Sequence, residues 1–132
     1  MSQRRSVPPD ASDIEAMARA ALKTIPEQFR RHVGNVVIRV EEFPDSATEH
    51  EMDLESPFDL LGLYRGVSMD RKSVYDVADD VDMIFLYRRP MLDYCCETGD
   101  DIGFVVRHVL IHEIGHHFGF SDDDMEQIEG KA

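Results

Sequence analysis

The stretch His112-Glu113-Ile114-Gly115-His116-His117-Phe118-Gly119-Phe120-Ser121-Asp122 decides how the rest of this chain is read. His112 and His116 stand four residues apart, so on a helix they share a face and their imidazoles can meet one metal ion. Glu113 is rotated by about 100° from His112. Its carboxylate can therefore reach a water on that ion without displacing either ring, accept its proton and return it to a leaving group. Catalytic zinc usually takes three protein ligands, and two histidines leave one place open. Gly119 can adopt positive φ and turn the chain sharply, after which Asp122 returns as an oxygen donor. The reading is a zinc set of His112, His116 and Asp122 with Glu113 as general base. Asp123 and Asp124 flank Asp122, and Asp124 stays open as the alternative third ligand. A carboxylate there makes the set harder than three imidazoles and loosens its preference for zinc over other divalent cations. In shuffled sequences of this composition the five spaced residues arise by chance in roughly 2 of 10,000. A merely solvated helix end is the weaker reading.

Outward from the motif, Thr98 or Asp100 can cap a helix that runs through Ile102, Val105, Val109, Ile111 and Ile114 to about Phe118. Acids at its start and histidines at its end suit the helix dipole, Gly119 is a natural residue just past the end, and a short helix from Ser121 to about Glu129 follows. Near the N-terminus, Ser12 with Glu15 reads as a capping box. Ile14, Met17, Ala18, Ala21 and Leu22 then repeat at helical spacing. Pro26 opens a second helical turn through Phe29 and Val33, and Gly34 stops it. Asn35 to Phe43, Leu60 to Val67 and Met83 to Arg88 read as strands, the last ended by Pro90. The acidic stretches Glu41–Asp59 and Ser68–Asp82, and the segment carrying Cys95 and Cys96, read as loops.

The chain has 132 residues, 42% hydrophobic and 31% charged. That supports one domain and excludes a protease of several lobes. The expected division is a disordered tip over residues 1–10 and a single domain over 11–132. Lys and Arg total 14 against 27 Asp and Glu, a formal net charge of −13. A surface this acidic repels phosphate backbones and anionic lipid, which argues against nucleic acid and membrane partners. Pro8, Pro9, Asp10, Asp13 and Glu15 occupy the place of a signal's apolar core, and no run approaches the roughly 20 apolar residues of a membrane span. Adjacent Cys95 and Cys96 disfavour a disulfide between them. The expected compartment is the cytoplasm.

The motif from His112 to Asp122 is similar to the extended motif of metzincin-type peptidases, with aspartate where a third histidine usually stands. Over about residues 12 to 130 the chain resembles the small bacterial minimal-zincin family of zinc metallopeptidases. The resemblance is carried by Leu60-Leu61-Gly62-Leu63-Tyr64-Arg65-Gly66-Val67, by Ile84-Phe85-Leu86-Tyr87-Arg88 with Pro90, and by His112 through Met125. It implies an α+β fold in which N-terminal helices and a small mixed sheet pack on a long metal-bearing helix. It also implies a zinc-dependent hydrolase acting on a peptide or protein substrate. By the same analogy, strand 60–67 is an edge along which an extended peptide would lie. A Met-turn has no room in the ten residues after Asp122, so Met125 is read as core packing. His108 reads as a structural or solvated histidine and His117 as a helix cap. Tyr64, Tyr87 and Arg88 are candidates for polarising a scissile carbonyl, set against plain packing. The competing function is a metal-binding regulatory or interaction domain with little turnover. A deformylase-like amidase is weaker, because no upstream cysteine ligand motif accompanies the histidines.

Overall fold

In the computed structural model, residues 7–31, 33, 36–66 and 82–129 are described. In chain order they form helices α1 (Ala11–Lys23) and α2 (Glu27–Arg30), strand β1 (Val36–Glu41), helix α3 (Ser46–Glu51), a 3-10 turn (Pro57–Asp59), strands β2 (Gly62–Arg65) and β3 (Asp82–Tyr87), and helices α4 (Arg88–Thr98), α5 (Ile102–Phe118) and α6 (Asp122–Ile128). Several expectations lie outside the described residues: the tip up to Ser6, the stop at Gly34, the end of the second strand at Val67, and the acidic loop from Ser68 to Val81. No described helix is long and apolar enough to cross a membrane.

β3 is the middle strand of a three-stranded mixed sheet. β1 pairs with it in parallel from Val36 opposite Asp82 to Glu41 opposite Tyr87. β2 pairs antiparallel, from Gly62 opposite Leu86 to Arg65 opposite Met83. The architecture is the α+β class that the resemblance implies. Ile84 and Leu86 of β3 are fully buried with Ile14 and Ala18 of α1 and with Val106, Leu110 and Ile111 of α5. α5 packs on α1 and also on β2 and β3, with α4 and α6 against it. A helix covered on several sides is apolar around most of its circumference, and the polar residues of α5 are Arg107, its histidines and Glu113. The close approach to β2 depends on Gly62, where a Cβ would stand 2.6 Å from Val109 Cγ1 and 3.2 Å from the Phe85 carbonyl oxygen.

The termini of the site helices follow from local hydrogen bonding. Asp101 caps α5, accepting from the amides of Gly103 at 2.9 Å and Phe104 at 3.3 Å. Thr98 and Asp100, the two caps expected from the sequence, stand just before it. α5 ends at Gly119, whose φ of +69° is the left-handed turn for which glycine is suited. Ser121 and Asp124 then form a reciprocal capping box at the start of α6, at 3.0 and 3.1 Å.

Three local readings are corrected. α1 starts one residue before the expected Ser12 cap, because Asp10 and Asp13 form the capping box instead, at 2.8 and 3.0 Å. The expected loop over 41–59 contains α3, capped by Asp45 accepting from the Thr48 amide at 2.8 Å, and the 3-10 turn capped by Ser56. The segment with Cys95 and Cys96 is α4. Pro90 sits in its first turn, where a missing N–H costs no hydrogen bond.

Candidate metal and catalytic centre

Leu61 accepts from the Tyr87 amide at 3.0 Å, so its strand alternation turns the amides of Gly62 and Tyr64 away from β3. The Tyr64 amide donates to Glu113 Oε1 of α5 at 3.0 Å. Glu113 is half-buried, and burial pushes its carboxyl above the usual range. The Tyr64 hydrogen bond, then His116 and His112, pull the other way. A carboxylate fixed at one oxygen and raised in pKa has the profile of a general base and acid.

His112 and His116 occupy consecutive turns of α5, their ring centroids 6.4 Å apart and nearly perpendicular. Asp122 is the exposed first residue of α6, just past the Gly119 turn. Asp124 is partly buried, and its carboxylate is engaged in the capping box. Asp122 to Asp124 all lie in the first turn of α6, where negative charge suits the helix dipole.

Among the described residues, one trio of histidine and acidic side chains has ligating atoms within 4.8 Å of one another, namely His108, His112 and Glu129. His112 Nε2 lies 3.0 Å from Glu129 Oε2, and His108 Nδ1 lies 3.2 Å from the same oxygen. Neither approach is aligned as a hydrogen bond, and this buried oxygen has no hydrogen-bond partner among the described residues. Glu129 reaches the histidines because Ile128 is buried and Arg107 donates to the Ile128 carbonyl at 2.9 Å and to that of Glu129 at 3.1 Å. Sequence reading gives Glu129 no role and takes His108 as a structural or solvated histidine. His108 stands one turn before His112 on roughly the same face, which spacing alone shows, whereas Glu129 arrives only through the docking of α6.

The other candidates have jobs of their own. The Tyr64 hydroxyl donates to Asp82 Oδ2 at 3.0 Å, and its ring stacks on His117 with centroids 4.0 Å apart, so His117 packs rather than only capping. Tyr87 is buried, which raises its phenol pKa. Arg88 is pinned by the Pro9 carbonyl at 2.7 Å and Glu42 at 2.8 Å. Met125 is partly buried against the core, its thioether filling the space a Cβ on Gly115 would need. Cys95 is half-buried, and burial pushes its thiol up, away from the reactive thiolate form. A cavity of about 300 Å³ lies along β2, lined by Glu51, Met52, Leu63, Tyr64, Arg65 and Gly66.

The donors that converge, two imidazole nitrogens and the buried Glu129 oxygen, are of the kind that can hold a divalent metal ion. The His-Glu-x-x-His stretch thus lies on α5 beside the mixed sheet, its glutamate receiving the Tyr64 amide of β2. The chain matches the family model described as zincin-like metallopeptidase over residues 33–132 and belongs to that family. No protein of curated description matches it.

Proposed function

We propose that this chain is a zinc-dependent peptidase in which His112, His116 and Asp122 hold the metal and Glu113 moves the proton. The observation that carries the reading is Glu113 itself, between the two histidine turns, fixed by the Tyr64 amide and raised in pKa by burial. Asp122 is favoured over Asp124 because the Asp124 carboxylate is already spent on the helix cap. When bound, zinc supplies Lewis acidity and makes a water molecule acidic near neutral pH. Glu113 would accept the water's proton at its carboxylate as the water oxygen bonds to the scissile carbonyl carbon, and would deliver it to the departing amine nitrogen as the C–N bond breaks. The Tyr64 hydrogen bond holds the carboxylate during both transfers. The substrate is a peptide with a side chain in the cavity beside Leu63 and Tyr64, held by side-chain contacts and not through the Tyr64 amide, which Glu113 occupies.

The test is cleavage of a diverse peptide library by zinc-loaded protein. Glu113→Gln should keep the metal and lose turnover by about 100-fold or more. Turnover unchanged in that variant would sink the mechanism. In chelator competition, His116→Ala and Asp122→Ala should each hold Zn²⁺ more weakly than wild type, and wild-type affinity in Asp122→Ala would remove that residue from the ligand set.

A further inference from the structure

We propose that His108, His112 and Glu129 form a divalent-cation site of their own, which competes with the His112–His116 pair for the shared imidazole. Only the competition rests on the peptidase reading; the site itself stands on three donors and their setting. The 3.0 and 3.2 Å separations from Glu129 Oε2 to His112 Nε2 and His108 Nδ1 are near the roughly 3.3 Å edge of a tetrahedron around zinc. Glu129 Oε2 has been taken out of water without a hydrogen bond in exchange, a costly arrangement for a carboxylate that a cation would relieve.

The site is built rather than incidental. His112 and His108 sit one turn apart on the long helix α5, their rings 4.1 Å apart, with Phe104 stacked on the far side of His108 at 5.9 Å. Glu129 is held by the buried Ile128 and by the Arg107 clamp on the last carbonyls of α6. Two nitrogens and one oxygen suit borderline divalent ions such as Zn²⁺, Co²⁺ and Ni²⁺, and not Ca²⁺ or Mg²⁺, which prefer all-oxygen shells.

His112 cannot serve both sets through one atom. Its Nε2 faces Glu129, and its ring centroid is 6.4 Å from that of His116. Two imidazoles meeting one tetrahedral ion through Nε2 would have centroids roughly 5 Å apart. An ion on His108, His112 and Glu129 therefore withdraws His112 from the catalytic pair and fastens the end of α6 to α5. Excess zinc is then self-limiting for the enzyme.

The test is titration of the metal-free, full-length chain with Zn²⁺, followed by chelator competition, and with Co²⁺, followed by its visible spectrum. His116→Ala removes the catalytic pair but none of the three donors, and His116 is exposed, so the core is untouched. This variant should still bind a single ion and gain thermal stability from it. Adding Glu129→Gln or His108→Ala should weaken that binding by at least about 100-fold, more than loss of an outer partner costs. An ion-free His116→Ala protein, or one whose binding ignores Glu129→Gln, would overturn the proposal. The two readings separate cleanly. Glu129→Gln binding metal while His116→Ala does not would leave the peptidase standing and remove this site. The reverse pattern would keep this site and remove the peptidase.

Discussion

Glu113 is the residue on which chemistry and stability meet. Burial lifts its carboxyl, so the folded chain holds this proton to higher pH than the unfolded chain does. For a raised carboxyl, stability is greatest below the unfolded value of about 4.3 and is lost as pH rises through the folded value. In metal-free protein, Glu113→Gln should therefore raise the Tm by about 1–3 °C near neutral pH, and the gain should vanish at about pH 4. Thermal denaturation over a pH series checks this, and a gain independent of pH would show that ionisation is not its cause. At this scale the sequence was informative where spacing alone sets geometry. His112, Glu113 and His116 follow one another along α5 by the helical repeat, with the two imidazole centroids 6.4 Å apart. Glu129 was not legible, because nothing in its neighbourhood states which face of α5 the following helix will cover.

Among the elements, the α5–α6 corner was readable because each step has a residue that permits few alternatives. Gly119 takes φ +69°, Ser121 caps, and Asp124 completes the box. Gly119→Ala should cost about 1 kcal/mol in urea denaturation, with Gly119→Asn costing less, since asparagine tolerates the left-handed turn. An alanine variant as stable as wild type would mean that the corner relaxes into another turn. α3 and α4 escaped reading for a common reason. α3 buries Thr48 alone, and α4 buries only Pro90 and Met91 in its first turn. Neither prints the repeating apolar face by which a helix is recognised. The adjacent cysteines and a proline at the start then made α4 look like a loop, although proline belongs in a first turn.

For the whole molecule, the three strands and the long helix could be anticipated, but their mixed order around β3 depends on partners far apart in the chain. The last helix ties that arrangement to the site. Ile128 is 1% exposed and anchors α6, so Ile128→Ala should lower stability by about 2–4 kcal/mol. It should also weaken Zn²⁺ binding in the His116→Ala background, because Glu129 is carried on the same anchor. Denaturant melts and metal titration of the same samples check both effects. The bond between Tyr64 and Glu113 has a further consequence, for solubility. Among the described residues β2 is an edge strand of four residues, and a bare strand edge is a template on which another copy can add. By claiming the outward Tyr64 amide, Glu113 blunts that edge. Glu113→Ala should self-associate with rising concentration in sedimentation velocity, whereas Glu113→Gln, still able to accept the amide, should sediment like wild type. The carboxylate proposed to move protons would thus also bear on how one molecule meets another.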